Sequence, residues 1–420
     1  MAHHSDQHDV RFPPLPASGL LLAAQRTEST FEEIPVIDFK DATSRDPRVR
    51  RELANLIRDA CINVGFFYIK NHGIPQELIE STVEAGKDFF ALSEAEKMKL
   101  DIHKSPNFKG YTPLFGENTD ASGLGDLHEG FDLGWEPKPL PSEQGDFSQS
   151  TMVTVRDDGV MTGGNVWPDS NTLPGFKEAV LAYYHSALKL GQLLFPLFAL
   201  ALDLPEAFFD DKTTKPAAIM RLLHYPPQSP TKLKPQDDRQ IGIGSHTDYE
   251  ASAWVAFLLL PFSSENWNLL TSDSQCFTIL WQDSAGGLQV QNASGKWIDA
   301  VPIPGTVVLN IGDQFARWTI RNNPYISLDD VFKSTVHRVI NRSGLERYSI
   351  PLFFGSDYDV LLEIATHQMG ESVLVMLRTV WNPQPVPTCV SPETPAKYQA
   401  ITAGEYVKSR LEVTYAHSTS

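Results

Sequence analysis

From Ala217 onward the chain is written in short β-branched and aromatic runs cut by Pro, Gly and Asn, and this texture constrains the fold most. Residues 219–225, 276–281, 287–291, 306–311, 334–340 and 348–354 each have the length of one strand. Short strands in series with turn signals between them fold as a sandwich, a barrel or a jelly roll. The chain ahead of them reads differently. Residues 34–39 and 65–70 are strand-like, whereas 50–64 places Leu53, Leu56, Ile57, Ala60 and Cys61 at helical spacing. A second helix is expected over 75–92, and Ser93 with Glu96 makes a capping box for a short third one. Residues 173–202 form a long amphipathic helix on which the β region can rest. Residues 110–164 are rich in Gly, Asp and Pro and read mostly as loop, and 1–33, with Pro13, Pro14 and Pro16, as a loose arm. The sequence shows no internal repeat and no low-complexity segment.

Composition narrows the function. A hydrophobic content of 41% is ample for a globular core. A net charge of −17 argues against general affinity for nucleic acid or anionic membrane, so an anionic ligand must be met by locally placed Arg or Lys. The three cysteines, Cys61, Cys276 and Cys389, are far apart and in no metal-like spacing, which points to a reducing compartment. The N-terminal residues carry no apolar signal region, and the strongest apolar run, 253–262, is too short to span a bilayer. A monomeric cytoplasmic protein acting on a small molecule is the expectation.

The chemistry concentrates in Gly242-Ile-Gly-Ser-His246-Thr-Asp248. On a strand, residues i and i+2 face one side, so His246 and Asp248 can aim at one point. His337 lies in another strand-like run, Ser334-Thr-Val-His-Arg-Val-Ile340. Two imidazoles and one carboxylate on one face of a metal leave open positions, the arrangement of non-haem Fe(II) oxygenases. Each element alone is weak: His-x-Asp is mostly a strand His beside a turn Asp, and a lone His is mostly a core residue. Ten residues beyond His337, Arg347 and Ser349 face one side of a further strand, where a forked guanidinium and a hydroxyl suit a carboxylate. The alternative is a surface Arg347 paired with Glu346, against which stands the apolar run that follows.

With these residues in place, the chain resembles the isopenicillin N synthase-like branch of the 2-oxoglutarate/Fe(II) oxygenases, in particular the fungal ones. The N-terminal part carries the resemblance in IPVIDF, GFFYIKNHGIP, LSEAEKMKL and FKGYTPL. The catalytic part carries it in RLLHYPP, HTDYE, FTILWQDSAGGLQVQ, GTVVLNIGDQFARWT, VFKSTVHRV and RYSIPLFF. It implies a mixed α/β chain with a mainly β core: a double-stranded β-helix (distorted jelly roll) with an N-terminal α/β region and a spine helix. It implies Fe(II) on His246, Asp248 and His337, the distal carboxylate of 2-oxoglutarate on Arg347 and Ser349, and Tyr225 beside that cosubstrate. The chemistry implied is O2 activation coupled to decarboxylation of 2-oxoglutarate, with hydroxylation, desaturation or cyclisation of a small molecule in secondary metabolism. The regions expected are an arm (1–33), an N-terminal non-haem dioxygenase region (34–150), a linker with the spine helix (151–216), the β-helix core (217–360) and a C-terminal segment (361–420).

Three stretches depart from the family pattern: 251–275, 320–328 and 364–384 interrupt text that otherwise runs on. They read either as lids or as translated introns. We favour introns, because removing all three restores continuous motifs and only two residues separate the first from a metal-ligand candidate. Other readings kept open are an Fe(II) oxidase that does without 2-oxoglutarate, a catalytically dead product of the interrupted gene, and a metal-dependent hydrolase.

Overall fold

The structure is a computed structural model. It describes residues 30–105, 107–119, 125–136, 164–228, 242–248, 275–319, 332–341, 343–358, 360–362 and 401–402. The elements run β1 (Val36–Asp38), α1 (Pro47–Asn63), β2 (Phe66–Lys70), α2 (Gln76–Phe90), α3 (Glu94–Lys97), β3 (Gly110–Thr112) and β4 (Glu129–Leu133). They continue with α4 (Phe176–Ala201), β5 (Pro216–Tyr225), β6 (Ile243–His246), β7 (Phe277–Gln282), β8 (Leu288–Gln291), β9 (Trp297–Asp299) and β10 (Thr306–Ile311). The last are α5 (Asp313–Trp318), β11 (His337–Val339), β12 (Arg347–Asp357), β13 (Leu361–Leu362) and β14 (Ile401–Thr402).

Period-two alternation divides the interior into two cores. An eight-stranded sheet has the order β1-β2-β10-β7-β12-β5-β4-β3, and a four-stranded sheet the order β6-β11-β8-β9. On the large sheet, Phe67, Ile69, Met220, Leu222, Ile279, Leu309, Ile350 and Leu352 point to the helices. Their neighbours Phe66, Tyr68, Leu223, Tyr225 and Val308 point the other way and meet Leu288, Val290 and Val339 of the small sheet. The central strands β2, β5 and β10 thus bury both faces, one in a helix-covered core and one between the sheets.

The spine helix forms as its periodicity predicts, over Phe176–Ala201. It is fastened by aromatic rings. Phe195 lies 5.3 Å from Phe277, Phe198 lies 4.9 Å edge-on to Phe315, and Phe277 stacks on Phe354 at 5.2 Å. Such pairs contribute roughly 0.5–1.5 kcal/mol each beyond area burial. Gly191 lets helix and sheet approach closely, since a Cβ there would run into the Phe354 ring. The Ser93 half of the capping box forms, Ser93 Oγ accepting from the Glu96 N–H at 3.3 Å, while the Glu96 carboxylate accepts from Lys99 Nζ.

Two expectations are refined. The described part of residues 110–164 is mostly loop, but it also holds β3 and β4, which extend the large sheet. All five residues of β4 are buried, so no alternation betrays it, and its acids are satisfied by distant partners such as Arg221 and His224. The end of the expected arm is docked: Asn292 Nδ2 donates to Phe31 O at 2.9 Å, and Phe31 packs on the inter-sheet core.

The three interruptions lie outside the described residues except for Gln275. The frame around them is closed nevertheless. Thr278 Oγ1 donates to Asp248 Oδ2 across the first. The Phe332 N–H donates to Thr319 Oγ1 at 3.1 Å across the second, and β13 pairs with β14 across the third. Loop-closure entropy depends weakly on length, so shorter connections are tolerated once the ends already meet. A chain lacking 251–275, 320–328 and 364–384 is therefore expected to fold with an undiminished thermal midpoint and soluble yield. A large loss of either on side-by-side expression contradicts the intron reading.

Candidate metal and cosubstrate site

Register brings the metal-ligand candidates together. β11 pairs antiparallel with β6 and sets His337 directly opposite His246, with ring centroids 4.3 Å apart. The pairing shifts between His337 and Val339, where β6 spends one residue more than its partner, a β-bulge at Gly244-Ser245. Asp248 lies just past the end of β6, in a turn rather than in the strand that its spacing from His246 predicts. It still reaches the same point: its Oδ1 stands 3.2 Å from His337 Nε2 and 3.9 Å from His246 Nε2. The three ligand atoms all lie within 4.8 Å of one another.

The surrounding hydrogen bonds leave one lone pair on each residue for a metal. His246 Nδ1 donates to Gly244 O at 2.7 Å, and His337 Nδ1 donates to Thr335 O at 3.0 Å. A carbonyl can only accept, so both protons sit on Nδ1 and both Nε2 atoms are turned inward. Asp248 Oδ2 accepts from Thr278 Oγ1 and Asn310 Nδ2, leaving Oδ1 for the metal. Thr278 and Asn310 are themselves cross-strand partners on β7 and β10. Thr247, between two ligands, is tied to α5 through Asp313 Oδ2 at 3.0 Å.

Electrostatics agree with a cation site. Burial, reinforced by the neighbouring His337, lowers His246 to about 4, so its imidazole is neutral at physiological pH. Burial alone would raise Asp248, but the charge of His337 and the hydrogen bonds it receives hold its carboxyl well below the ordinary range. His337 is pushed down by burial and more strongly up by Asp248, the same attraction that would draw in a metal dication.

The cosubstrate candidates meet on the large sheet. Arg347 is fully buried at 0% exposure, which excludes the surface pairing with Glu346. Its register partner on β5 is Tyr225, over whose ring the guanidinium lies at 4.5 Å. Nε donates to Gly286 O at 2.7 Å, Nη1 to Ser349 Oγ at 3.1 Å and Nη2 to Gln282 Oε1 at 3.4 Å. No carboxylate pairs with it among the described residues, and a buried cation of that kind asks for an anionic ligand. One cavity is lined by His246, Asp248, His337, Arg347, Ser349 and Tyr225 together. Phe108, Glu117, Ile219, Arg221 and Phe353 line the same cavity.

Sequence reasoning missed Thr278, Asn310, Gln282 and Gly286, which hold the site residues in place, and Glu117, Asp132 and Arg221, which form a buried ion-paired wall. A signal existed for two of them: Thr278 and Asn310 are the polar interruptions of FTILW and VVLNI, on the face opposite the apolar core.

Known proteins resemble this chain in sequence and in fold. The profile of the non-haem dioxygenase in morphine synthesis N-terminal family matches residues 34–170, and that of the 2OG-Fe(II) oxygenase superfamily matches 263–356. The 2-oxoglutarate-Fe(II) type oxidoreductase ppzC of Metarhizium majus is 33% identical over 399 residues, covering 94% of this chain and 91% of its own. The hxnY oxidoreductase of Emericella nidulans, also of the 2-oxoglutarate-Fe(II) type, is 31% identical, with 91% of each chain covered. Among solved structures, a full-length Neurospora crassa protein crystallised in complex with alpha-KG and thymine superposes with a TM-score of 0.66 at 27% identity, covering 91% of this chain and 97% of that one. With the matched profiles and these relatives, the chain belongs to the family of 2-oxoglutarate/Fe(II)-dependent oxygenases.

Proposed function

We propose that His246 Nε2, His337 Nε2 and Asp248 Oδ1 hold Fe(II), and that Arg347 and Ser349 receive the distal carboxylate of 2-oxoglutarate beside the Tyr225 ring. The observation that carries this reading is the single cavity shared by the three converging ligands and a fully buried guanidinium without an acid partner among the described residues. Bound Fe(II) with 2-oxoglutarate and O2 supplies the oxidising power for a C–H bond. The chain's own residues do the rest. The backbone carbonyls of Gly244 and Thr335 fix the imidazoles, Thr278 and Asn310 orient the carboxylate, and Gln282 and Gly286 aim Arg347. Leu280, Leu288 and Val339 line the cavity with apolar surface that limits water.

The substrate is a small molecule with an apolar body, received by Phe108, Ile219 and Phe353, and a polar end facing Glu117 and Arg221. Its oxidation is a hydroxylation, desaturation or cyclisation in secondary metabolism. In this reading the facing sheets are the double-stranded β-helix. The chain divides as 34–150, 151–216, 217–360 and 361–420 behind the arm, and it works as a cytoplasmic monomer without a nucleic-acid or membrane partner. Among the described residues no helix is long and apolar enough to cross a membrane.

Replacing His246 or His337 by Ala removes one of three protein ligands, and Fe(II) binding and turnover are expected to be lost. Retention of near-normal Fe(II) affinity by either variant contradicts the triad. Arg347→Leu is expected to raise the KM for 2-oxoglutarate by two to three decades, from the roughly 3–5 kcal/mol of a broken buried charge pair. Iron affinity should stay nearly unchanged. An unaltered KM, or turnover without succinate, favours an oxidase that does not use 2-oxoglutarate.

A further inference from the structure

β6 is an edge strand, so one side of its backbone faces no neighbouring strand among the described residues. The bulge adds to this, because the extra residue of a bulge is left out of the ladder. Both peptide groups of Gly244 are nevertheless used. Its carbonyl takes the His246 Nδ1 proton, and its N–H donates to Asp126 Oδ1 at 2.9 Å. Two residues earlier, Gly242 O accepts from His128 Nδ1 at 2.9 Å. Asp126 and His128 therefore stand where the next strand would stand.

His128 is buried behind two residues that line the cavity, Glu117 and Tyr225. Its Nε2 donates to Glu117 Oε2 at 3.2 Å, and its ring lies 5.6 Å from that of Tyr225. A carbonyl and a carboxylate can only accept, so His128 donates from both nitrogens as an imidazolium. Glu117 in turn accepts from Arg221 Nη1 at 3.1 Å, and both line the cavity. Gly242 is pressed on Tyr225, since a Cβ there would stand 2.9 Å from the ring. Thr119 holds the other oxygen of Asp126, its N–H donating to Oδ2 at 2.9 Å.

We propose that Asp126 and His128 are positioning residues: a two-point side-chain clamp on the free edge of β6 that holds the bulge and thereby aims His246 Nε2 at the metal. His128 joins that clamp to Tyr225 on the cosubstrate side and to the Glu117–Arg221 wall on the substrate side. The proposal rests on His246 being a metal ligand. Without the clamp the Gly244 peptide is free to turn, and His246 loses the acceptor that fixes its tautomer and direction. Partners of this kind, one step removed from the metal, typically govern about ten- to a hundredfold of metal affinity.

The test uses full-length metal-free protein and Co(II) as a spectroscopic probe. Asp126→Ala and His128→Leu are expected to weaken Co(II) binding on the order of tenfold to a hundredfold and to change the shape of its visible bands. His128→Asn, whose amide can still donate to Gly242 O, should restore both. A role confined to stability would lower the thermal midpoint but leave affinity and bands unchanged, and that result overturns the proposal. His337→Ala serves as the control: if it binds Co(II) as the unaltered protein does, the ligand assignment itself fails and the proposal with it. Should the clamp variants not fold, amide exchange in the unaltered metal-free protein decides. Slow exchange at Gly244 is expected, and exchange at the rate of an exposed peptide overturns the clamp.

Discussion

The antiparallel register that sets His337 opposite His246 is the constraint on which the site depends. A slip of one residue between β6 and β11 would turn one imidazole to the other face of the small sheet and remove it from the proposed metal site. The register is guarded on both sides. Behind β11, β8 pairs with it over His337–Val339, while Phe66 of the large sheet lies edge-on to the His337 ring at 5.2 Å. In front of β6, the side chains of Asp126 and His128 take the place of a strand. The bulge then gives the orphaned carbonyl of Gly244 a task, the orientation of His246.

Charge balance explains how so many ionisable groups share one interior. Arg221 is offset by Glu117 and Asp132, and Lys97 by Glu129. Arg347 has no such acid among the described residues, and Asp248 has only two imidazoles, one of them neutral. A metal dication, one carboxylate ligand, a dicarboxylate dianion and one guanidinium sum to no net charge. The site as read is thus neutral when loaded, which is the condition for burying charges at low cost.

Much of this was legible in the sequence, and what was not has identifiable causes. His246, His337, Arg347 and Ser349 stand on strands as their spacing predicts, Asp248 reaches the same point from a turn instead, and the helices announce themselves by periodicity and by the Ser93 cap. Tyr225 has no local signal; its place follows from the β5–β12 register, which a single sequence does not show. β4 reads as loop because Glu129, Gly130 and Asp132 look like turn chemistry until Lys97, His224 and Arg221 arrive from distant segments to satisfy them. Asp126 and His128 carry no local signal for the same reason, since their partners Gly244 and Gly242 stand 118 and 114 positions away. Local propensity records what one strand prefers, not what another strand supplies.

The central claim is that one metal on His246, Asp248 and His337 shares its cavity with a dicarboxylate anchored on Arg347. An anaerobic crystal structure with Fe(II) and 2-oxoglutarate, using anomalous scattering at the iron edge, tests it most directly. The expected result is a single iron peak bonded to His246 Nε2, His337 Nε2 and Asp248 Oδ1, with the distal carboxylate of 2-oxoglutarate on the Arg347 guanidinium and Ser349 Oγ. An iron peak elsewhere, or a 2-oxoglutarate whose far carboxylate lies on Arg221 while Arg347 stays unliganded, would contradict it.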